Sequence, residues 1–298
     1  MSDERPKMLV FGAGGRLGAA LVREYAREWG VRAFGRKEAD LSDPAAVADL
    51  VHAENPSVVI NSAAMTNVDA CETERDLART VNADAAGAIA RACTDLGARL
   101  IHVSTDYVFS GKASEPYDEN AAPDPVSWYG QTKLEGEEQV MSASDRHAVV
   151  RVAWVFGPDR DSFVDKALQQ SLRGEPVRAV ADKWSSPTYT LDVAEALRPL
   201  FDTAALGGVY HICNRGVCTW RDWAEEGINA AAALGLPVKT KNVEPLKLSD
   251  IKAMVAQRPV YSPMHCQRIE SLIGRPLRTW QEAVRDYVRL LADSGRLG

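Results

Sequence analysis

The chain has 298 residues, with 35 Lys and Arg against 41 Asp and Glu, and a formal net charge of -6. Hydrophobic residues make up 46% and charged residues 26%, a balance that excludes disorder as the main state. Mild acidity without a basic stripe argues against a nucleic-acid partner, and no apolar run approaches the ~20 residues of a membrane-spanning helix. Five scattered cysteines and a polar, charged N-terminus without a signal-peptide pattern predict a cytoplasmic protein with reduced thiols.

Strands and helices alternate along the first half of the chain. Apolar runs predict strands over residues 8–12, 31–35, 57–60 and 99–104, and helical spacing predicts helices over 16–29, 45–53 and 76–96. Asp43 and Pro44 predict the start of the second helix, and Gly97 the end of the third. The strand runs are apolar throughout, as expected when helices cover both faces of a parallel sheet. The pattern predicts an α/β fold with a Rossmann-type, doubly wound parallel sheet.

The second half of the chain is less regular. A polar loop over residues 110–127 precedes a predicted helix at 127–140 and a predicted strand at 148–156. Further helices are predicted at 162–173, 190–201, 220–234 and 279–291, with one more strand at 209–213. We expect residues 1–157 to form a dinucleotide-binding domain and residues 158–298 mainly a smaller, mixed α/β substrate lobe. Some segments of that lobe are expected to return to the sheet, with a cleft between the two parts.

A glycine-rich turn follows the first predicted strand. It contains Gly12, Gly14, Gly15, Arg16, Leu17 and Gly18. Glycine permits a tight turn and a close approach of the backbone to a pyrophosphate, and the helix that follows offers free N–H groups to that anion. The position between a strand and a helix favours a dinucleotide site over a glycine-rich turn without a ligand.

The end of the second predicted strand indicates which cofactor is bound. An acidic residue at that position holds the ribose 2′-hydroxyl of NAD, whereas an arginine accommodates the 2′-phosphate of NADP. This chain has Arg36 and Lys37 there, which favours NADPH and leaves NADH open; the alternative is that both side chains are simply solvated. Asp40 and Leu41 follow closely and are expected to meet the adenine.

A tyrosine and a lysine share one face of a predicted helix. Tyr129 and Lys133 are four residues apart, and a lysine ammonium there can lower the pKa of the phenol and hold a ribose. Such a phenol can exchange a proton with a carbonyl oxygen. Ser104 and Thr105 end the fourth predicted strand, at the sheet edge where open α/β sheets bind ligands. The alternative is that the tyrosine and the lysine share a helix face by chance. The glycine turn and the strand-end hydroxyl disfavour that alternative.

These motifs resemble those of extended short-chain dehydrogenases/reductases. Within that group, the chain is most similar to the dTDP-4-dehydrorhamnose reductase family. The matching segments are FGAGGRLG (11–18), DLSD (40–43), VINSAAMTNVDACE (59–72), STDYVFSG (104–111), YGQTKLE (129–135), RVAWVFG (151–157), SPTYTLDVA (186–194) and RPVYS (258–262). They run from one end of the chain to the other, and two of them, STDYVFSG and RVAWVFG, are much more specific than the glycine turn.

The resemblance implies an enzyme that reduces the 4-keto group of dTDP-4-dehydro-L-rhamnose with NADPH or NADH. By position, Tyr129 would be the general acid, Lys133 would orient the nicotinamide ribose and tune Tyr129, and Thr105 would hold the keto oxygen. The other positions that match the family are Val68, Asp106 and Trp154 in the sugar pocket, and Ala63, Ala64 and Met65 beneath the cofactor. The implied partner is a nucleotide-sugar, and a homodimer is left open.

Several residues depart from the family or extend the expected site. Met65 stands where the family usually has an aromatic residue or histidine, and Lys183 where glutamine is usual. The pyrophosphate of the substrate is expected to meet basic groups of the C-terminal lobe, with Arg258, Lys252 and Lys247 as candidates. Ordinary surface charge is the alternative for these three side chains.

The remaining aromatic residues and histidines favour structural roles. Trp220, Trp223 and Trp280 lie on predicted helices and are expected in the core of the second lobe. His102 and His211 lie within apolar strands, where a histidine with satisfied hydrogen bonds in the core is expected. The five histidines form no ligand cluster, and no metal site is predicted.

Two other functions remain open. A reductase of another nucleotide-linked deoxysugar would carry the same motifs, because the contacts that select the sugar are not visible in the sequence. A non-catalytic regulatory subunit, like that of methionine adenosyltransferase, also resembles this family and retains its fold. A dehydratase is disfavoured, because Asp106 is followed by Tyr107 rather than by a second carboxylate.

Overall fold

The computed structural model of the chain describes residues 5–202 and 207–297, so the outer limits of the two predicted domains, Met1 and Gly298, lie outside the described residues. The strands are β1 (Lys7–Phe11), β2 (Gly30–Phe34), β3 (Val58–Asn61), β4 (Arg99–Thr105), β5 (Ala148–Val152), β6 (Val155–Phe156), β7 (Val177–Val180), β8 (Trp184–Ser185), β9 (Thr188–Tyr189), β10 (Gly208–His211), β11 (Cys218–Thr219) and β12 (Val243–Leu246). The helices are α1 (Arg16–Tyr25), α2 (Pro44–Glu54), α3 (Val68–Thr73), α4 (Arg75–Arg79), α5 (Ala85–Leu96), α6 (Trp128–Ala143), α7 (Phe163–Arg173), α8 (Thr190–Leu197), α9 (Pro199–Asp202), α10 (Trp220–Ala233), α11 (Gln267–Ile273) and α12 (Trp280–Asp293).

A six-stranded sheet organises the fold, in the order β10-β5-β4-β3-β1-β2. All of its strand pairs are parallel. Alternate residues of β1 enter two different cores: Met8 and Val10 pack on one face, and Leu9 and Phe11 on the other. Because helices cover both faces, the strands need apolar side chains at successive positions. The prediction of a Rossmann-type parallel sheet is confirmed.

Local signals in the sequence place several helix ends. The Asp43 carboxylate accepts a hydrogen bond from Ala46 N, and Pro44 is the first residue of α2. Gly97 ends α5 in the left-handed conformation, with φ of 68°. The Ser127 side chain accepts a bond from Gly130 N and begins α6. Asp43, Gly97 and Ser127 each make a hydrogen bond with a backbone group that would otherwise be unpaired at the helix end.

Three predicted elements are divided in the structure, and one of them, the helix predicted over residues 190–201, consists of α8 and α9. The helix predicted over residues 76–96 consists of α4, a π-helical turn (Thr80–Asp84) and α5. The strand predicted over residues 148–156 breaks at Trp154, whose φ of 41° is left-handed and ends the extended run. The short strand β6 that follows pairs with β9 instead of joining the large sheet.

The second half of the chain contributes to both parts of the fold. Strand β10 pairs with β5 and completes the large sheet. Helices α7, α10 and α12 enclose a second core, which includes Leu168, Trp223 and Tyr287. The division of the chain at residue 157 into a cofactor domain and a substrate lobe stays a prediction. Within residues 5–202 and 207–297, none of the helices combines the length and the apolar character that crossing a membrane requires.

Candidate active site

A cavity of about 1160 Å³ opens at the carboxyl ends of strands β1 to β5. The predicted site residues that line it are Gly12, Gly14, Gly15, Arg16, Leu17, Gly18, Arg36, Asp40, Leu41, Ala63, Ala64, Met65, Thr105, Asp106, Tyr129, Lys133 and Trp154. Ligands of open α/β sheets bind at this edge, because the strands point their last residues and the following loops towards it. The fold therefore brings together nearly all of the residues that the motifs singled out.

The glycine-rich turn is built so tightly that side chains are excluded at two positions. Gly12 has a φ of 80°, and a Cβ there would lie 2.7 Å from Ala63 N. A Cβ at Gly18 would lie 2.1 Å from the Gly12 carbonyl oxygen. The turn thus folds against the first turn of α1, where the N-terminal N–H groups of a helix have no partner within it. A Cβ at Gly14 would meet no atom within 4 Å, so this side of the turn is open to a ligand.

Arg16 and Arg160 join this turn to the segment after β6. The Arg16 guanidinium donates to the carbonyl oxygens of Arg160 and Val155, at 3.0 and 3.2 Å, and also to that of Asp161. Arg160 in turn donates to the Gly14 carbonyl oxygen at 3.0 Å and lines the cavity. Burial lowers the pKa of Arg16. Arg160 was not predicted from the sequence, because it belongs to no motif and reaches the turn only through the fold.

Two buried asparagines hold the segment that passes along the cavity floor. Asn61 Oδ1 accepts from Ala63 N at 3.1 Å. Asn82 Oδ1 accepts from Met65 N at 2.8 Å, and its amide nitrogen donates to the Met65 carbonyl at 3.2 Å and to Thr132 Oγ1 at 3.1 Å. Asn82 lies in the π-helical turn, a feature that often occurs at functional sites. Asn82 was not predicted either, since helical periodicity alone does not reveal a π turn.

Tyr129 is buried, and its ring lies edge-on to that of Tyr107, with centroids 5.5 Å apart. Burial raises the pKa of Tyr129, and a hydrogen bond with the Thr105 hydroxyl opposes that rise. This differs from the expectation that Lys133 lowers the pKa of Tyr129. The amine of Lys133 instead donates to the Val103 carbonyl at 2.8 Å and lies 3.1 Å from His102 Nε2. The lysine thus makes its contacts with strand β4 rather than with the phenol.

Thr105 and Asp106 form a buried polar group beside the tyrosine. The Thr105 hydroxyl donates to Asp106 Oδ1 at 3.1 Å. Asp106 Oδ2 accepts from Ser185 Oγ at 3.1 Å and from Ser262 Oγ at 2.5 Å. Burial raises the pKa of Asp106, while Lys183 and the three hydroxyl donors oppose the rise. Ser185 and Ser262 come from distant parts of the chain, so this aspartate joins the sheet edge to the C-terminal half.

Lys183 is fully buried next to this group. Its amine donates to the Pro259 carbonyl oxygen at 2.6 Å and lies 5.3 Å from the Tyr107 ring centroid and 5.7 Å from that of Trp154. Burial lowers the pKa of Lys183 to about 8, while the negative charge of Asp106 opposes that change. A buried cation therefore lies beside Asp106 and Trp154.

Aromatic side chains form part of the wall of the cavity. Trp154, Trp220 and Trp223 all line it. Trp154 lies 5.8 Å from Trp223 in a stacked arrangement, and Phe163 stacks on Trp220 at 5.4 Å. Trp220 and Trp223 were expected only in the core. They also face the cavity, because the start of α10 reaches its rim, whereas Trp280 is buried in the second core.

A model of the family described as RmlD substrate binding domain matches residues 6–292. The chain is also 37% identical over 300 residues to dTDP-4-dehydrorhamnose reductase from Streptomyces griseus, with 99% of this chain and 96% of that protein covered. The chain belongs to the dTDP-4-dehydrorhamnose reductase family. The family resemblance read from the motifs is thereby confirmed.

Two further comparisons describe relatives within or near this family. The chain is 35% identical over 282 residues to a probable dTDP-4,6-dihydroxy-2-methyloxan-3-one 4-ketoreductase from Streptomyces antibioticus, covering 94% of both. A crystal structure of dTDP-4-dehydrorhamnose reductase from Bacillus anthracis in complex with NADP has a TM-score of 0.88 and 32% identity, covering 96% of this chain and 99% of that one. The fold of the family is thus retained across nearly the whole chain.

Two of the residues predicted to bind the substrate, one in the sugar pocket and one at the pyrophosphate, do not line the cavity. Val68 packs in a small cluster that includes Cys71 and Tyr129. Arg258 forms a paired ion bridge with Asp69, at 2.9 and 2.7 Å. In this structure the guanidinium is held by Asp69, which α3 presents to it, and the contact of Arg258 with a pyrophosphate stays a prediction. Within residues 5–202 and 207–297, no three His, Cys, Asp or Glu side chains are grouped to hold a metal ion.

Proposed function

We propose that this protein uses NADPH to reduce the 4-keto group of dTDP-4-dehydro-L-rhamnose, giving dTDP-L-rhamnose. The observation that carries the proposal is the meeting of Thr105, Tyr129 and Lys133 with the glycine turn in one cavity. Family membership over residues 6–292 and the names of the relatives support it. The chain would then be an oxidoreductase rather than a regulatory subunit, although both share this fold.

The residues of the cavity fit a dinucleotide. The glycine turn excludes side chains at Gly12 and Gly18 and leaves Gly14 open, which suits a pyrophosphate against the start of α1. Arg36 lines the same cavity and would meet a 2′-phosphate. These features and the NADP complex of the Bacillus anthracis relative favour NADPH, with NADH as the second candidate.

The buried phenol suits the chemistry of reduction. A bound reduced nicotinamide supplies the hydride for such a reaction. Burial keeps Tyr129 protonated, so its hydroxyl can give a proton to the developing alkoxide. The Thr105 hydroxyl would face the same oxygen, and Lys133 would contact the ribose. Met65, Ala63 and Ala64, held by the two asparagines, would support the cofactor from beneath.

The substrate is proposed to be a nucleotide-sugar, with its sugar between Asp106 and Trp154. A second candidate is the keto-sugar of another deoxysugar pathway. The observation that favours it is the 35% identity to a probable 4-ketoreductase with a different substrate name, together with Lys183 behind the sugar pocket. We also retain from the sequence a cytoplasmic location and a homodimer as predictions for separate tests.

The test is a spectrophotometric assay of NADPH oxidation with dTDP-4-dehydro-L-rhamnose. The wild-type protein is expected to oxidise NADPH rapidly, and Tyr129→Phe to lose about 10²–10⁴-fold of that rate, because the proton donor is removed. Tyr107→Phe is the matched control, since Tyr107 packs on Tyr129 without lining the cavity. NADPH binding without oxidation of any keto-sugar would contradict the proposal and turn attention to a protein partner.

A further inference from the structure

A segment from the second half of the chain lies against the glycine-rich turn. It consists of residues 158–162, between β6 and α7, and we call it the clasp segment. The Arg16 side chain donates to two of its carbonyl oxygens, that of Arg160 at 3.0 Å and that of Asp161. The Arg160 side chain donates in the opposite direction, to the Gly14 carbonyl oxygen at 3.0 Å. These reciprocal bonds place both guanidinium groups beside the start of α1.

The carboxylates near these two arginines already have other partners. Arg23, on α1, is paired with Asp159 of the clasp segment. Arg296, after α12, is paired with Asp161 at 3.0 Å. The carboxylate of Asp165, in α7, accepts three hydrogen bonds from a backbone nitrogen and two hydroxyl groups. The acidic side chains of this region are therefore engaged with groups other than the two arginines that face the cavity.

Positive charge accumulates at the start of α1. Within residues 5–202 and 207–297, no side chain caps this helix at Gly15, and its first turn contains no acidic residue. The side chains of Arg16 and Arg160 bond to backbone carbonyl oxygens rather than to carboxylates. Burial lowers the pKa of Arg16, and the neighbouring charge of Arg160 adds to that change. Two cations thus lie beside the positive end of a helix dipole, an arrangement that favours an anion there.

Arg160 retains hydrogen-bond donors for a ligand, whereas Arg16 does not. All three guanidinium nitrogens of Arg16 donate to carbonyl oxygens. Arg160 is exposed and lines the cavity, and of its guanidinium nitrogens only Nη1 is bonded to another described residue. The planar fork of an arginine matches the oxygens of a phosphate. Arg160 can therefore keep its bond to Gly14 and offer its other nitrogens to a phosphate group.

We propose that Arg160 binds the diphosphate of the dinucleotide cofactor and holds it against the start of α1. The inference rests on the proposed function, which places a dinucleotide on the glycine turn. A nucleotide-sugar also carries a diphosphate, but Arg160 is anchored at Gly14, on the side of the turn that is open to a ligand. Arg160 lies beyond residue 157, where the sequence predicts the substrate lobe. The clasp segment would thus join the two predicted parts of the chain at the cofactor.

The test measures the affinity of the full-length protein for the cofactor and its fragments by isothermal titration calorimetry, without turnover. Arg160→Gln should weaken the binding of NADPH, NADH and ADP by a common factor of about ten, because each loses a charge-assisted hydrogen bond to its diphosphate. Adenosine 2′-phosphate has no diphosphate and should bind the variant as it binds the wild type. Arg91→Gln, at an exposed arginine of α5, is the matched control and should change none of these affinities.

Salt dependence separates a direct phosphate contact from a purely structural role of Arg160. Salt screens the attraction between exposed charges, so wild-type affinity for ADP should fall more steeply from low to high salt than that of Arg160→Gln. If the variant only loosens the turn by losing the bond to Gly14, its affinity falls by the same factor at both salt concentrations, which contradicts the proposal. Arg160→Lys keeps the charge without the fork, so it should restore the salt dependence and only part of the affinity.

Four further outcomes have distinct meanings. Unchanged binding of NADPH, NADH and ADP in Arg160→Gln overturns the proposal. A loss for dTDP alone assigns Arg160 to the diphosphate of the nucleotide-sugar, and a loss for NADPH without NADH assigns it to the 2′-phosphate; both overturn the proposal. A wild type that binds neither dinucleotide contradicts the proposed function and this inference together. If the expected pattern of affinities is found but no keto-sugar is reduced, only the proposed function fails.

Discussion

Two buried lysines stand on opposite sides of the site, and their surroundings differ. Lys133, on α6, and Lys183, just before β8, each donate to one backbone carbonyl, at 2.8 and 2.6 Å. Burial lowers the pKa of each to about 8. Lys183 faces the carboxylate of Asp106 and two aromatic rings, whereas the polar side chain nearest Lys133 is the neutral imidazole of His102.

The difference indicates a structural role for Lys183 and a role in the chemistry of the site for Lys133. Lys183 does not line the cavity, and its charge is balanced by a buried anion and by ring faces. Lys133 lines the cavity. The two lysines are similarly buried, but their neighbouring residues differ. An anion balances the charge of Lys183, whereas Lys133 contacts a neutral imidazole and lines the cavity. Three substitutions test this comparison.

The largest effect is expected from Lys133→Met, which keeps the apolar stem and removes the amine. Activity with NADPH and the keto-sugar should fall about 10²–10⁴-fold, since the proposed contact with the ribose is lost. Stability should fall by only about 1–2 kcal/mol, the cost of leaving the Val103 carbonyl unpaired. Steady-state kinetics and urea unfolding on the same preparation measure both effects, and a large loss of stability would contradict the distinction between the lysines.

Lys183→Met should act mainly on stability. Removing the cation leaves the buried Asp106 carboxylate uncompensated, so the free energy of unfolding should fall by about 3 kcal/mol near pH 7.5. The pKa of Asp106, already raised in the folded protein, should rise further. The folded state then binds more protons than the unfolded state, so stability should decrease as pH rises above about 4, the ordinary pKa of aspartate.

Urea unfolding of Lys183→Met at several pH values checks this expectation. The variant should lie closer to the wild type at pH 5 than at pH 8. Lys166→Met, on the outer helix α7, provides a control for the loss of a lysine elsewhere. An equal loss at both pH values would show that packing of the side chain, rather than its charge, accounts for the effect.

The smallest effect is expected from Asp69→Asn, on the side of the site that holds Lys183. Asp69 accepts from Arg258 and from the backbone nitrogens of Val255 and Ala256, which holds its pKa well below the usual range. A lowered folded-state pKa stabilises the protein above about pH 4, and that contribution is lost as pH falls. Because the carboxylate is partly exposed, the loss at pH 7 should be about 1 kcal/mol.

Unfolding of Asp69→Asn at pH 7 and pH 3.5 tests this value. The difference from the wild type should shrink at the lower pH, since Asp69 of the unfolded wild-type chain gains a proton there whereas the folded carboxylate stays ionised. The cofactor-binding side should be unaffected, so NADPH affinity should remain unchanged. A loss of NADPH affinity would show that the two sides of the site are coupled through α3.

Much of the site follows from local sequence. The glycines around Gly12, the Tyr129–Lys133 pair and the strand-end Thr105 lie in short segments whose spacing sets their geometry within one strand, turn or helix. Helix ends at Asp43 and Gly97 are likewise local, because a cap needs only its neighbours. These features could be predicted, and the parallel sheet with them, since apolar strands alternate with amphipathic helices.

The tertiary structure alone decided the contacts between distant segments. Asn61, His102 and Lys133 come from β3, β4 and α6, and their side-chain contacts form only where these elements meet. Arg258 carries a suitable charge for a pyrophosphate, yet the fold places Asp69 against it. A sequence specifies residue chemistry and local backbone preference, whereas hydrogen-bond partners and burial, and therefore pKa values, depend on which side chains the packed fold brings within reach.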